Sequence, residues 1–151
     1  MIRIPKKLLF AIEAVLDIAY NAGTQPVQSK DITVRQGIPR RYLEQVLQQL
    51  VRADILTGVR GPRGGYLLAR ERRRITLGEI TRVVVLGDES EETSDDMSES
   101  DLGSKVVWPI WDDLQGVLME RLDSITIEDL CLNAHGKGIE SDSAQRLDFI
   151  I

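Results

Sequence analysis

Between residues 38 and 66 the chain reads IPRRYLEQVLQQLVRADILTGVRGPRGGY, and the side chains in it suit the recognition of a polyanion. Arg40, Arg41, Gln45, Gln48, Gln49 and Arg52 recur on one side of a helical repeat. Guanidinium groups hold phosphates and pair with guanine, and amides pair with adenine. Glu44, among them, would repel phosphate or accept from cytosine. Arg60 and Arg63 stand in a glycine-rich stretch, GVRGPRGG, where small residues leave them room to reach outward. An amphipathic helix and an ordinary hairpin, each with arginines for solubility, would account for either half alone. Their order favours DNA binding: a cationic, amide-rich helix followed by a basic hairpin.

Other chemistry has little support. The single histidine, His135, has no serine partner in a triad arrangement. GPRGGY lacks the spacing of a phosphate loop and does not precede a helix. Asp112 and Asp113 are adjacent and diverge by about 100° on a helix, so they cannot act as a pair. Cys131 and His135 stand at i and i+4, a spacing that could face one metal ion, and a dimer would double the pair to four ligands. They are weak candidates, because a lone cysteine is usually a small buried hydrophobe. No cofactor is expected, and the chain is not read as an enzyme.

The reading residues need a frame. Leu43, Val46, Leu47, Leu50 and Val51 form the apolar side of a helix over 39–53, with Pro39 at its first position. Ile55-Leu56 and Tyr66-Leu67-Leu68 are the apolar ends of a hairpin over 55–69. Upstream, Ser29 caps a short helix over 30–36 carrying Ile32 and Val34, and Gly37 makes a tight turn into the next helix. Residues 25–27 read as a connector. A first helix spans 5–22, with Leu8, Leu9, Ile12, Val15, Leu16 and Ala19 as its apolar stripe. After the hairpin, Arg70-Glu71-Arg72-Arg73-Arg74 reads as a solvated turn rather than a DNA contact, and Thr76 with Glu79 forms a capping box for a helix to about 85.

Charge divides the chain. Residues 1–86 hold 15 Lys/Arg against 7 Asp/Glu, and residues 87–151 hold 4 against 17. The overall charge of −5 thus conceals a basic half able to bind phosphate through its local field. Residues 87–103 are acidic, serine-rich and nearly without apolar groups, which predicts a mobile loop. Residues 104–123 carry Val107, Ile110, Trp111, Leu114, Val117, Leu118 and Leu122 at helical spacing, beyond what so small a domain needs for its core. The expected use is dimerisation. Thr126 caps a last helix ending near Ala134, and 136–151 form a tail. No run of eighteen apolar residues suggests a membrane span. Glu13 and Asp17 interrupt the apolar segment that would mimic a signal peptide, and one cysteine forms no internal disulfide, so a cytoplasmic location is expected.

Tyr42-Leu43-Glu44-Gln45, the apolar helix after it, and Val59-Arg60-Gly61-Pro62-Arg63-Gly64-Gly65-Tyr66 together resemble the Rrf-type transcriptional regulators, the family of IscR, NsrR and CymR. The likeness extends to AIEAVLDIA at 11–19, ITLGEI at 75–80 and IWDDL at 110–114. It implies a mostly helical winged helix-turn-helix fold and a dimeric, sequence-specific DNA-binding repressor. Arg41, Tyr42 and Gln45 match family positions that contact DNA, and Glu44 matches one that controls specificity. Many relatives sense iron–sulfur clusters, nitric oxide or redox state through three cysteines spaced C-x5-C-x5-C, joined in some by a histidine. Those positions here are Thr93, Glu99, Lys105 and Trp108, none of which ligates such a cluster.

The expected organisation is a DNA-binding winged domain at 1–86, the acidic loop at 87–103, the dimerisation helix and a short helix at 104–135, and the tail at 136–151. The expected site comprises Arg40, Arg41, Tyr42, Glu44, Gln45, Arg60 and Arg63, with Val107, Ile110, Trp111, Leu114 and Leu118 at the dimer interface. The expected partners are a palindromic DNA duplex and a second copy. The alternative is a protein-interaction module whose acidic loop or tail docks an enzyme or sensor, since one family member, CymR, works with an enzyme partner.

Overall fold

The computed structural model describes residues 2–87 and 100–142. Helix α1 (Lys6–Asn21) lies at the centre, packed against helices α2 (Ser29–Gln36), α3 (Arg40–Arg52), α4 (Leu77–Thr81) and α6 (Ile127–Gly136). A two-stranded antiparallel hairpin, β1 (Leu56–Val59) and β2 (Gly65–Leu68), follows α3 in the register Leu56↔Leu68 to Val59↔Gly65. Helix α5 (Trp108–Asp123) is preceded by a π-helical turn, Gly103–Val107, and another, Arg82–Leu86, continues α4.

The core is built largely from the apolar faces the periodicity marks. Leu43, Val46, Leu47 and Leu50 are all buried, against Ile32, Ile38, Ile55 and Ile80. On α1 the buried face is turned from the expected stripe. Ala11, Ala14 and Ile18 are fully buried with Val15, whereas Leu9 is 42% exposed and Ile12, Leu16 and Ala19 are only partly covered. The alanines allow neighbouring helices to approach closely, which bulkier residues on the same face would prevent.

Polar residues occupy the rest of that face. Asp17, whose side chain is 0% exposed, accepts from Arg35 Nε at 2.9 Å, Arg35 Nη2 at 2.8 Å and Gln36 Nε2 at 2.8 Å. The hydrogen bond to Asp17 raises the pKa of Arg35. Arg35 Nη1 also reaches Asp142 at 2.6 Å, and the Asp142 N–H donates to Asn21 Oδ1 at 3.0 Å. The Tyr20 hydroxyl donates to the Ile139 carbonyl. One ionic cluster therefore joins α1, α2 and the segment after α6, so residues 139–142 of the expected tail dock on the helical core.

Several local expectations shift. Ser29 is the first residue of α2 rather than its cap, and Gln28 is the cap. Pro39 sits at the N-cap of α3, with ψ of 132°, not at the first helical position. Val34 is 83% exposed, leaving Ile32 as the buried residue of α2. Thr76 accepts the Glu79 N–H at 3.2 Å, but the Glu79 carboxylate turns to Arg70 at 2.9 Å. The full reciprocal box occurs at α6, between Thr126 and Asp129. Helix α6 runs through Gly136, two residues beyond Ala134. Most of the acidic loop, 88–99, lies outside the described residues, as does 143–151. The four described residues at its end do not form a loop: Ser100 accepts the N–H of Gly103 at its Oγ and that of Ser104 at its carbonyl.

Candidate nucleic-acid interface

Gly37 ends α2 in the left-handed region (φ 66°), a conformation open to glycine without a Cβ penalty. Ile38 then plunges into the core and α3 begins two residues later. This turn presents the N-terminal half of α3 outward. Arg40, Arg41, Tyr42, Glu44 and Gln45 are all exposed, on the side opposite Leu43, Val46 and Leu47. The Tyr42 ring rests 5.8 Å from that of Phe10 on α1, tilted by 46°, which fixes the direction of its hydroxyl. Arg40 Nε donates to Glu44 Oε1 at 2.9 Å, an i,i+4 pair with both side chains largely in solvent. Exposed pairs of this kind are weak and yield readily to a competing phosphate.

Arg60 and Arg63 are exposed at the hairpin tip, where the Gly64 N–H donates to the Gly61 carbonyl at 2.9 Å. The paired glycines have a packing reason. A Cβ on Gly64 would lie 2.2 Å from the Val59 carbonyl oxygen, and one on Gly65 would lie 2.4 Å from that of Val27. Val27 pairs with Tyr66 as a third, one-residue strand, with N···O distances of 3.0 and 2.8 Å. The segment 25–27, expected as a plain connector, thus contributes a bridge to the hairpin. Its consequence is a groove of ≈ 690 Å³ between the start of α2 and the hairpin, lined in part by Gln28, Ser29, Lys30, Arg40, Arg60 and Gly61. Gln28 also donates to the Pro62 carbonyl at 3.5 Å. Lys30 is therefore a further exposed cation beside the reading residues. The only sequence signal for it is its place at the start of the helix that precedes α3.

Ion pairing sorts the basic residues. Arg35 holds Asp17 and Asp142, Arg70 holds Glu79, Arg73 holds Glu71 and Arg82 holds Asp123. Arg72 lies 4.0 Å from Glu128. Among the described residues, Lys30, Arg41, Arg60 and Arg63 are exposed cations of this face without an acidic partner within ion-pair distance, as are Arg3, Lys6, Arg52, Arg74, Arg121 and Lys137 elsewhere. The face made by α2, α3 and the hairpin thus keeps four cations free for a phosphate backbone. In the 70–74 cluster, Arg70, Arg72 and Arg73 face carboxylates, as in a structural turn, and Arg74 does not.

Cys131 and His135 stand one turn apart on α6 in different surroundings. Cys131 is 2% exposed within the core, while His135 is exposed at the end of α6. Burial pushes the Cys131 thiol up, with Arg72 pulling it partly back, so at neutral pH it is a protonated core residue. Among the described residues no three His, Cys, Asp or Glu side chains gather as metal ligands.

The fold and this face define a winged helix-turn-helix DNA-binding protein. The chain belongs to the Rrf2 family, described as "Iron-dependent Transcriptional regulator", whose pattern matches residues 4–133. It is similar to the "HTH-type transcriptional regulator IscR" of Enterobacter sp. (strain 638), with 37% identity over 134 residues covering 87% of this chain and 80% of the relative. Among solved structures it is similar to T. potens IscR, with a TM-score of 0.71, 35% identity and 88% of each chain covered. It is also similar to CymR, the global cysteine regulator of B. subtilis, with a TM-score of 0.65, 28% identity, and 88% of this chain and 98% of that one covered. These relatives are regulators of transcription, not enzymes.

Iron held in a cluster would need thiolate or imidazole donors. Lys105 sits in the turn before α5 and pairs with Asp101 at 3.3 Å, and Trp108 opens α5. Neither carries a thiolate or imidazole, and the single thiol is in the core on another helix. This donor set does not fit an iron–sulfur cluster.

Proposed function

We propose that this protein is a dimeric repressor that binds a palindromic operator without an iron–sulfur cluster, acting in the cytoplasm where bacterial DNA is found. The observation that carries the reading is the face of unpaired cations around exposed Arg41, Tyr42 and Gln45, flanked by the hairpin arginines. The N-terminal half of α3 enters the major groove. There Gln45 pairs with adenine and Arg41 with guanine or phosphate, while Glu44 limits which sequences are accepted. Arg40, released from Glu44, holds backbone phosphate. Arg60 enters the minor groove, and Arg63 holds phosphate beside it. Two copies joined through Val107, Ile110, Trp111, Leu114 and Leu118 on α5 set two such faces on one side of the duplex.

Single alanine variants measured against a duplex selected from a random library test these assignments. Gln45→Ala is expected to cost about 1–3 kcal/mol and relax one base position. Arg63→Ala is expected to weaken all sequences alike and lower the salt slope by about one. Arg60→Ala should weaken A·T-rich flanks most, because a narrow minor groove attracts arginine more strongly. Equal, sequence-blind losses for Arg60→Ala and Arg63→Ala would remove the distinction between them, and an unchanged Gln45→Ala would remove Gln45 from the reading set.

Cluster independence rests on ligand chemistry. Two chains together offer two thiols and two imidazoles, and each thiol is buried in the core on α6. Protein purified in air and freed of metal, and the Cys131→Ser variant, should bind the selected duplex as tightly as protein reconstituted anaerobically with iron and sulfide. A large change on reconstitution that Cys131→Ser abolishes would make Cys131 the sensor.

A further inference from the structure

Helix α5 would place the dimer face at some distance from the groove-reading face, so the joint between them decides how firmly the two reading heads are spaced. The structure builds that joint from three kinds of contact. The backbone at 75–77 runs antiparallel to 125–127: the Leu77 N–H donates to the Ile125 carbonyl and the Ile127 N–H to the Ile75 carbonyl, both at 2.9 Å. On α4, Gly78 faces the end of α5 so closely that a Cβ there would fall 1.8 Å from Asp123 Oδ1 and 3.1 Å from the Asp123 nitrogen. One turn further on, Arg82 clamps Asp123 through two bonds of 2.7 Å each. The clamp spans 41 positions in sequence and has the planar, two-point geometry that resists rotation.

We infer that the Arg82–Asp123 clamp on the Gly78 contact is a specificity element: it makes α5 and the winged domain one rigid body and so fixes the spacing of operator half-sites the protein accepts. The inference rests on the proposed two-fold binding. A helix of 16 residues is about 24 Å long. At that lever length, play of about 10° at the joint moves the far end of α5, and the partner copy held on it, by about 4 Å relative to the winged domain, more than the rise of one base pair, about 3.4 Å. Adding one base pair also turns a half-site by about 34°. A rigid joint therefore penalises a change of one base pair steeply, and a loose one absorbs much of it. Arg82 and Asp123 act as positioning residues and touch no DNA in this account.

The test uses the full-length chain and the palindrome that it selects from a random duplex library, together with derivatives carrying one base pair more or one fewer between half-sites. The unmodified protein should lose about thirtyfold in affinity for either derivative, and Arg82→Ala only about fivefold, with the parent palindrome bound within about threefold of normal. Gly78→Ala, which displaces Asp123 from the other side, should flatten the spacing profile in the same way. Exchange of the pair, Arg82→Asp with Asp123→Arg, should restore it. If Arg82→Ala remains dimeric and keeps the steep profile, the joint does not set spacing, although the two-fold reading stands. If the unmodified protein selects no palindrome, the two-fold reading fails and the inference fails with it.

Discussion

Replacing Trp111 with glutamate is expected to leave the chain folded but monomeric, and to lower affinity for the operator by about a hundredfold or more. The reason lies in what α5 leaves uncovered. None of its residues is buried within the chain, and Ile110, Leu114, Val117 and Leu118 are each more than half exposed. Trp111 lines an apolar hollow of ≈ 280 Å³ with Val107, Trp108 and Ile110. A contiguous apolar face of this kind marks an interaction surface, which the second copy of the proposed dimer would cover symmetrically. A carboxylate placed in that dry contact, without a partner, opposes association by several kcal/mol. Because Trp111 does not support the subunit's own core, the melting of the monomer should change little. Light scattering reads the dimer and a gel shift reads the operator. A monomer for the unmodified protein at micromolar concentration would refute the interface.

The largest stability effect is expected at Arg35. Its guanidinium supplies two of the three side-chain hydrogen bonds that Asp17 accepts in the interior. Arg35→Met leaves a buried carboxylate with Gln36 alone, a loss of about 3–5 kcal/mol and a fall in melting temperature on the order of 10–20 °C. The double variant Asp17→Leu with Arg35→Met should recover much of this, since a buried pair replaced by apolar groups of similar volume is often near neutral. Calorimetry on the four proteins gives the cycle directly. A single Arg35→Met variant melting within about two degrees of the unmodified chain would show that water already satisfies Asp17.

The reading helix and the hairpin were legible because each carries a local signal. The apolar side of α3 repeats at helical spacing, and GVRGPRGGY concentrates the glycines that a tight, crowded tip requires. Asp17 was visible only as an interruption of an apolar segment, since its partner Arg35 is 18 positions away and its role depends on packing. The expected α1 stripe runs through the largest side chains, but Ala11 and Ala14 are fully buried, and their small size carries little weight in a hydrophobic pattern. Val27 gave no strand signal because its pairing is a single bridge to Tyr66. The arginines could be counted but not sorted: Arg35 and Arg82 are spent on carboxylates brought close by the fold, whereas Arg41 and Arg60 keep their charge for a ligand. Composition is the same for both kinds, and only tertiary distance separates them.

Two-fold DNA recognition without a cluster is tested most directly by the stoichiometry and symmetry of one complex. Metal-free protein purified in air is used to select duplexes from a random library, and the selected complex is weighed by native mass spectrometry. The account predicts two chains on one duplex whose half-sites form an inverted repeat about one helical turn, or 34 Å, apart. One chain per duplex, a selected sequence without an inverted repeat, or selection that succeeds only after iron and sulfide are supplied would contradict it.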